Sequence, residues 1–208
     1  MGAFCVAVFL AGAPLVHAEA PAWWSARGVV STNAMVDDYA PVLIGQLKWM
    51  ATNAADECEA GLPGGAGTGV WTLVRGFSPL SNNWQTANLG QLKALSKPFY
   101  DRLNEEWYYT NSYYPWTSIT NDDCDYAIVN LGQLKNVFKF DPGKDSDVDA
   151  LPDWWEERWL GGVTNQTGGG DSDQDGLNNS NEYWHGTSPG SGDSDGDSLP
   201  DAWEVQWF

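Results

Sequence analysis

Positive charge is scarce in this chain of 208 residues, which has 10 Lys and Arg against 28 Asp and Glu. The formal net charge is −18. Proteins that bind nucleic acid by neutralising phosphates need basic surfaces, so the charge excludes that class. It also opposes adhesion to anionic membrane surfaces. We therefore expect no nucleic-acid partner.

Histidine is nearly absent, with two residues in the chain. Only His185 remains once an N-terminal signal segment is removed, so a three-histidine zinc site is excluded. Ser-His-Asp and Cys-His catalysis would have one candidate base and no evident partner for it. Catalysis by a carboxylate pair of glycosidase type is not excluded, although the obvious carboxylates lie in the acidic stretches that are assigned to metal binding below. With no nucleophile, base and orienting group to name, we predict that the chain is not an enzyme.

Long apolar runs are also missing, apart from one near the N-terminus. The run at 4–16 has the length of a signal-peptide core and is too short to span a bilayer. Small residues at Ala18 and Ala20 fit an A-x-A cleavage site. Residues 1–20 are thus predicted to be a signal peptide that directs secretion, with no membrane insertion after its removal. No Lys or Arg precedes the run, so either the true start lies upstream or the signal is weak; a buried N-terminal helix is the alternative.

Cysteine is equally scarce, and Cys5 would leave with the signal peptide. The remaining Cys58 and Cys124 permit one disulfide in an exported chain. Cys58 also lies in register with Leu47 and Ala51, on the apolar stripe of a predicted helix. A free cysteine there would pack as a small hydrophobe. Both alternatives stay open, because sequence does not supply the Cα separation that a disulfide requires.

What the chain does contain is an internal repeat. "IGQLK" begins at residue 44 and "LGQLK" at residues 89 and 131, with an aromatic residue seven positions before each glutamine and a Trp-Ser or Trp-Thr pair further upstream. The aromatic residues are Tyr39, Trp84 and Tyr126, and the tryptophans are Trp24, Trp71 and Trp116. The repeat length is typical of helical arrays.

Each GQLK tetrapeptide is predicted to begin a helix. Asn88 and Asn130 are good N-caps, and Gln91 and Gln133 follow three residues later, as in a capping box. Pro98 should kink or restart the second helix. The glycine-rich stretch at 61–69 and "DPGK" at 141–144 should end the first and third helices. The Trp-containing segments between helices are predicted to be β-prone, either as small hairpins or as extended arms.

The recurring glutamines and lysines have two interpretations. In one, Gln46, Gln91 and Gln133 or the neighbouring lysines form a triplicated ligand site. In the other, each glutamine is a cap, and each lysine faces solvent and shields the next unit's backbone. We favour the structural interpretation, because stacked repeats must reproduce their own interfaces.

Three acidic stretches near the C-terminus share one register. An EF-hand-type loop takes oxygen ligands from positions 1, 3, 5, 7, 9 and 12, with the backbone carbonyl serving at position 7. In the three stretches these positions are Asp145, Asp147, Asp149, Leu151, Asp153 and Glu156; Asp171, Asp173, Asp175, Leu177, Asn179 and Glu182; and Asp193, Asp195, Asp197, Leu199, Asp201 and Glu204. Crowded carboxylates repel one another unless a hard divalent cation binds them, so the register predicts about three Ca²⁺ sites. Mg²⁺ fits less well, because it tolerates fewer protein ligands.

The loops depart from a paired EF-hand in two respects. Only the second has the expected glycine at position 6, Gly176, whereas Ala150 and Ser198 replace it in the others. No long helix enters any of the loops, and helical character is predicted only on the exit side. We expect the two replacements to weaken or distort their loops.

Residues 145–208 resemble bacterial thrombospondin type 3-like calcium repeats, which are typified by D-x-D-x-D-G-L-P-D-x-W-E. Upstream, "LGQLKALSKPFYDRL" at 89–103 is similar to the "NLGQLKNVAKPFYDRL"-type segments that accompany such repeats in large secreted bacterial proteins. The resemblance implies an extracellular, calcium-stabilised and non-catalytic region.

These patterns together predict a mainly α fold with irregular loops, in which three short helical repeats are followed by EF-hand-like, thrombospondin type 3-like calcium loops. Residues 1–20 are the predicted signal peptide, 21–140 the GQLK-type repeat region and 141–208 the calcium-binding region. A helix after the third loop would reach the chain end without the glycine stop that follows the first. We therefore expect the N-terminal portion of a larger secreted protein.

For the biological role two non-catalytic alternatives remain. The first is a structural or adhesive region at the cell surface, whose partner would be a cell-surface protein or glycan. The second is a glycan-binding ancillary module of a larger secreted enzyme, suggested by the 13 Trp and 8 Tyr. Against glycan binding, four of the tryptophans recur at helical spacing, which suits core packing. They are Trp155, Trp159, Trp203 and Trp207. Aromatic rings exposed together would favour glycan binding, and buried rings would favour structure.

Overall fold

The computed structural model describes residues 20–28, 38–77, 82–116 and 125–207. The predicted signal peptide lies outside these residues apart from Ala20, and so does Cys124. Within the described residues the chain forms eight helices and no extended strands, which confirms the mainly α class. The helices are α1 (Ala22–Ala26), α2 (Ile44–Gly61), α3 (Gly67–Arg75), α4 (Leu89–Glu105), α5 (Leu131–Val137), α6 (Asp153–Trp159), α7 (Asn179–His185) and α8 (Asp201–Trp207).

The chain divides into two compact units. The first contains the residues up to 60 together with 66–141, and the second contains 61–65 together with 142–208. The sequence had placed its boundary between residues 140 and 141. The short excursion at 61–65 comes from the glycine-rich stretch after α2 and was not expected.

In the first unit the three repeats close into a ring through backbone hydrogen bonds. Val42 N donates to Val129 O over 2.9 Å, Val129 N to Ala87 O over 2.9 Å, and Ala87 N to Val42 O over 2.8 Å. Each repeat thus donates to one neighbour and accepts from the other. The repeat length had indicated a helical array, but these units close on themselves with approximate threefold symmetry. Isolated bridges, and not hairpins, join the described parts of the repeats.

The GQLK tetrapeptides lie where each repeat meets the next. The capping boxes of Asn88 with Gln91 and of Asn130 with Gln133 are both present, as predicted. In the first repeat Gln46 Oε1 accepts from the backbone of the residue before the helix. A Cβ at the motif glycine would lie 3.1–3.2 Å from atoms of the neighbouring repeat, which is closer than ordinary van der Waals contact, so glycine favours this approach.

The motif lysines were expected to face solvent, but each bonds to a side chain of another repeat. Lys93 Nζ lies 2.7 Å from Asp125 Oδ1, and Lys135 Nζ lies 2.5 Å from Asp38 Oδ1. In the remaining repeat Lys48 donates to an asparagine over 3.1 Å. Each lysine therefore bonds to the residue that precedes the exposed aromatic of another repeat. The structural interpretation of the motif agrees with these contacts, but its solvent-facing lysine was wrong.

The core of the first unit is built from α2, α4 and an aromatic cluster. Phe99 and Tyr100 of α4 are fully buried. The ring of Phe99 packs against those of Phe138 and Phe140, and the ring of Tyr100 packs against that of Phe140. Trp24 in α1 donates its indole N–H to Phe138 O over 2.9 Å. The apolar stripe of α2 is buried as predicted at Leu47, Ala51, Ala54 and Cys58, and Met50 of the same helix is buried as well.

Cys58 is a free thiol in this stripe. Burial raises the pKa of the thiol far above its usual value, so it is unreactive at neutral pH. Its position matches the alternative of a core cysteine. Cys124, the other half of the suggested disulfide, is among the residues that the structure does not describe.

Two predictions about the helices of the first unit were wrong. Trp24 and Trp71 lie in α1 and α3 and not in β-prone segments, whereas Trp116 lies outside the helices, so the three upstream tryptophans do not occupy equivalent local structures. Pro98 lies inside α4, which runs from Leu89 to Glu105, so the predicted restart of the helix at this proline does not occur. Burial of the flanking turns, including Ser96 and Phe99, stabilises a helix that propensity alone would interrupt.

In the second unit a short helix follows each acidic loop, as predicted. Tyr183 of α7 is fully buried, contacts the rings of Trp154 and Trp155, and donates its hydroxyl to Gly61 O over 2.5 Å. Of the four tryptophans expected to form a core, only Trp155 is buried. Trp159, Trp203 and Trp207 are exposed.

Among the described residues, no helix has the length and apolar character that crossing a membrane would require.

Candidate metal centres

Three clusters of aspartates, one in each acidic loop, have the geometry of a cation site. In each cluster the carboxylates at positions 1, 3 and 5 offer oxygen atoms that lie within 4.8 Å of one another. The clusters are Asp145, Asp147 and Asp149; Asp171, Asp173 and Asp175; and Asp193, Asp195 and Asp197. The structure thus brings together the first three predicted ligands of every loop.

Each loop is held in shape by its first aspartate. Asp145 accepts the backbone N–H of Val148 through Oδ1 over 2.6 Å and that of Ala150 through Oδ2 over 3.0 Å. Asp171 and Asp193 accept from the equivalent backbone groups at positions 4 and 6. The aspartate side chain therefore organises the turn that brings positions 3 and 5 towards it.

Two positions in every loop have left-handed backbone geometry. At position 6 φ is 77° for Ala150, 100° for Gly176 and 79° for Ser198. At position 4 even the β-branched Val148 has φ of 62°. Glycine adopts such angles without cost, so the expected strain at Ala150 and Ser198 is present in the backbone, although both loops keep the common shape.

The glutamate at position 12 is the most telling feature of the first two loops. Glu156 and Glu182 are fully buried. Among the described residues, no hydrogen-bond partner is present for either oxygen of either carboxylate. Asp173 and Asp175 also each have one buried oxygen for which the described part of the chain offers no hydrogen-bond partner. A buried carboxylate is strongly destabilising unless it is paired, hydrogen-bonded or bound to metal.

The surroundings of these glutamates shift their pKa values upwards. Burial, reinforced by the negative charges of Asp149 and Asp147, raises the pKa of Glu156 from 4.5 to about 8. Burial and the charges of Asp173 and Asp175 raise the pKa of Glu182 to about 7. Both glutamates therefore experience the field of their own aspartate cluster, and a cation in that cluster would reverse the effect.

The side chain at position 9 bonds to the serine at position 2. Ser146 donates its backbone N–H to Asp153 Oδ1 over 2.7 Å and its hydroxyl to Asp153 Oδ2 over 2.6 Å. Asp201 accepts the same two bonds from Ser194, and Asn179 accepts the hydroxyl of Ser172. These contacts close each loop onto the start of its helix. The serine was not predicted to have a role, although "D-S-D" opens all three loops.

At position 7 only a backbone carbonyl is available to a metal, because the side chain is leucine. Leu151 and Leu177 are buried, and Leu199 is partly exposed. The leucines thus anchor the loops, most firmly in the first two.

The third loop is more open than the others. Glu204 is half-buried, and Asp195 and Asp197 are exposed. Burial and the neighbouring aspartates still raise the pKa of Glu204, as in the other loops. The third site thus has the same ligand pattern in a wetter environment.

Comparisons of the chain with protein-family models, curated proteins and solved structures find no match.

Proposed function

We propose that the three acidic loops bind Ca²⁺, about one ion each, and that calcium stabilises a secreted structural or adhesive region. The observation that carries the proposal is the pair of fully buried glutamates, Glu156 and Glu182, whose oxygens have no hydrogen-bond partner among the described residues. Each senses the charges of the three aspartates in its own loop.

A bound cation removes the electrostatic cost of this arrangement. The aspartates at positions 1, 3 and 5 converge on one point, and the buried glutamate feels their charges, so mutual repulsion of the four carboxylates opposes folding. A divalent ion converts the repulsion into coordination, so metal-binding free energy becomes folding free energy. We therefore expect the second unit to be ordered by the ion.

The donor set favours calcium over other metals. The aspartates, the glutamate and the leucine carbonyl supply only oxygen atoms, which excludes a structural zinc site of the usual Cys and His type. Ca²⁺ takes six to eight oxygen ligands in flexible geometry, whereas Mg²⁺ requires a strict octahedron and retains several waters. The proposed ligands are positions 1, 3, 5, 7 and 12, with position 9 contributing through the serine-bonded side chain or a water.

The proposed location and role come from the sequence. An apolar run followed by an A-x-A site supports secretion. Extracellular modules bind calcium in the millimolar range, where weak sites with imperfect loops still fill. A structural or adhesive role is supported by three observations. They are the resemblance to bacterial thrombospondin type 3-like repeats, the ring of repeats in the first unit and the lack of a catalytic constellation in the sequence.

The experiment that tests the proposal is metal stoichiometry on the whole chain. Equilibrium dialysis against Ca²⁺ should give about three ions per chain for the unaltered protein. Glu156→Gln should remove one ion and Glu182→Gln another, because the amide no longer supplies two anionic oxygens. Glu157→Gln is the matched control, since Glu157 is exposed and adjacent to Glu156. An unaltered protein that binds no calcium at millimolar concentration would overturn the proposal.

The same samples can be tested for selectivity and order. Excess Mg²⁺ should not displace the bound calcium, and EGTA should raise protease sensitivity after residue 144. Asp175→Ala should abolish the second site alone. Binding of fewer than two ions would show that Ala150 and Ser198 disable their loops.

A further inference from the structure

The closed ring of three repeats does not account for one recurring feature, the aromatic residue seven positions before the glutamine. The motif glycine and lysine contact the neighbouring repeat, the glutamine caps its own helix, and the leucine is buried. The aromatic residue seven positions before the glutamine differs from these in its exposure, because Tyr39, Trp84 and Tyr126 are 87%, 89% and 86% exposed. Large aromatic side chains normally contribute to stability through burial. Three equivalent rings in solvent therefore point to a contact with something outside the chain.

The backbone holds each of these aromatic residues in place. Asp38 O accepts from Gly132 N over 2.9 Å, and Ala40 O accepts from Leu131 N over 2.9 Å, so Tyr39 lies between two anchors. The residues that flank Trp84 and Tyr126 accept equivalent bonds from the first residues of α2 and α4; the acceptors are Asn83, Gln85, Asp125 and Ala127. A ring on a fixed backbone loses little entropy when a ligand stacks on it.

The charges beside these rings are balanced. The carboxylates of Asp38 and Asp125, which precede Tyr39 and Tyr126, pair with Lys135 and Lys93. The residue before Trp84 is the neutral Asn83. The overall charge of −18 opposes an anionic ligand. Because the neighbouring carboxylates are paired, the feature that the three positions share is the uncharged face of an aromatic ring, which suits an uncharged ligand.

The positions next to the rings do not recur in chemistry. Two residues after each aromatic lie Pro41, Thr86 and Ile128, all exposed but of different types. A protein partner would need a contiguous, matched surface. The three joined repeats instead present one shared feature, an exposed aromatic side chain, at three symmetric points. A polymer of identical units can satisfy three identical positions in the same way.

We propose that Tyr39, Trp84 and Tyr126 are three equivalent stacking positions for a neutral polysaccharide. The flat ring packs against the C–H face of a sugar, and the three positions on one chain raise the affinity for a polymer through multivalency. This site is separate from the acidic loops and does not depend on the calcium proposal.

The test is depletion of the full chain, in calcium buffer, by the insoluble neutral polysaccharides cellulose, chitin, xylan and starch. At least one should retain the unaltered protein. Single changes Tyr39→Ala, Trp84→Ala or Tyr126→Ala should weaken retention about 3- to 10-fold, and the triple variant about 100-fold or more. Trp84→Phe should keep most of it. The thermal melt should be unchanged in every variant, because the rings are exposed.

Trp49→Ala is the matched control, since Trp49 is 54% exposed in α2 but is not a repeat aromatic. The proposal is overturned if none of the four polysaccharides retains the protein, or if Trp49→Ala weakens retention as much as Trp84→Ala. It is also overturned if anionic alginate or heparin binds better than every neutral polymer. Self-association in sedimentation velocity that is lost in the triple variant would instead identify a second copy of the chain as the occupant. Calcium stoichiometry of the triple variant should be unchanged, which separates this result from the calcium proposal.

Discussion

The backbone N–H of Gly168 lies 2.7 Å from Asp149 Oδ2, so a carboxylate of the first acidic loop holds the segment that leads into the second. Gly168 O in turn accepts the backbone N–H of Ser180, in the first turn of α7, over 2.9 Å. A Cβ at Gly168 would lie 2.2 Å from Ser180 Oγ and 2.6 Å from Asp149 O. The packing of the first two loops therefore requires glycine at this position.

We predict that Gly168→Ala destabilises the second unit. The added methyl group must displace backbone as well as side chain, which costs about 1–3 kcal/mol in a packed interior. Gly169→Ala is the control, because a Cβ there meets nothing within 4 Å. Urea unfolding of the calcium-loaded chain, with hydrogen exchange at 142–207 to locate the effect, measures the difference. Equal exchange in the two variants would contradict the packing described.

Glu156→Gln should have opposite effects with and without calcium. In EGTA at neutral pH the glutamate must take up a proton to be buried beside the aspartates, whereas the amide is already neutral, so the second unit should gain stability, on the order of 1–3 kcal/mol. In saturating calcium the variant lacks a ligand and should be the less stable protein. Thermal melts of both forms beside Glu157→Gln test this, and the same direction of change in both buffers would argue against a metal at Glu156.

Calcium binding at pH 7 should release protons. The pKa of Glu156 is raised to about 8 and that of Glu182 to about 7, so without metal the first is mostly protonated and the second about half protonated at this pH. Calcium binds the ionised form, and affinity should therefore rise with pH until both glutamates are ionised.

Without calcium the sign reverses. A carboxyl whose pKa is raised in the folded state stabilises the fold below its unfolded value of 4.5, and this contribution is lost as pH rises through about 8.

Calorimetry of calcium binding at pH 7 in two buffers of different protonation enthalpy measures the released protons. Glu156→Gln should release fewer, and identical heats in the two buffers for the unaltered chain would contradict the shifted pKa values.

Replacing the strained residues at position 6 by glycine should stabilise the loops. Ala150 and Ser198 have φ of 77° and 79°, a region that costs L-residues roughly 1–2 kcal/mol. Ala150→Gly and Ser198→Gly remove that strain, although the greater freedom of glycine in the unfolded chain offsets part of the gain. Gly176→Ala, at the equivalent position of the second loop, should do the reverse. Calcium-loaded melting temperatures rank the three variants, and a more stable Gly176→Ala protein would refute this account.

The local patterns of this chain were predictable, because they depend on neighbouring residues. The capping boxes of Asn88 and Asn130 follow from spacing alone, and so does the placement of three aspartates around one point in each loop. The stripe of α2 that includes Leu47 was also readable, because a period of 3.6 residues marks the face that is buried.

Contacts between distant segments were not predictable. The ring that joins Val42, Ala87 and Val129 depends on how three repeats meet, and an open array has the same sequence period. The bond between Ser146 and Asp153 was missed because position 9 was assigned to the metal alone. Trp71 was assigned to a β-prone segment from its local composition, whereas packing of α3 against α4 places it in a helix.

The corrected position of the motif lysine leads to a last prediction. The side chains of Lys93 and Asp125 are only 13% and 10% exposed, and they join one repeat to the next. Lys93→Ala removes the cation beside the poorly solvated carboxylate of Asp125, so we expect a loss on the order of 2 kcal/mol in the stability of the first unit. Lys97→Ala is the control on the same helix, because its pair with Asp101 is largely exposed and worth about 0.5 kcal/mol or less. Urea unfolding of these variants and of the Lys93→Ala, Asp125→Ala double variant isolates the pair by a double-mutant cycle. Equal losses for Lys93→Ala and Lys97→Ala would mean that this lysine faces solvent after all, and that backbone hydrogen bonds and apolar packing hold the ring without it.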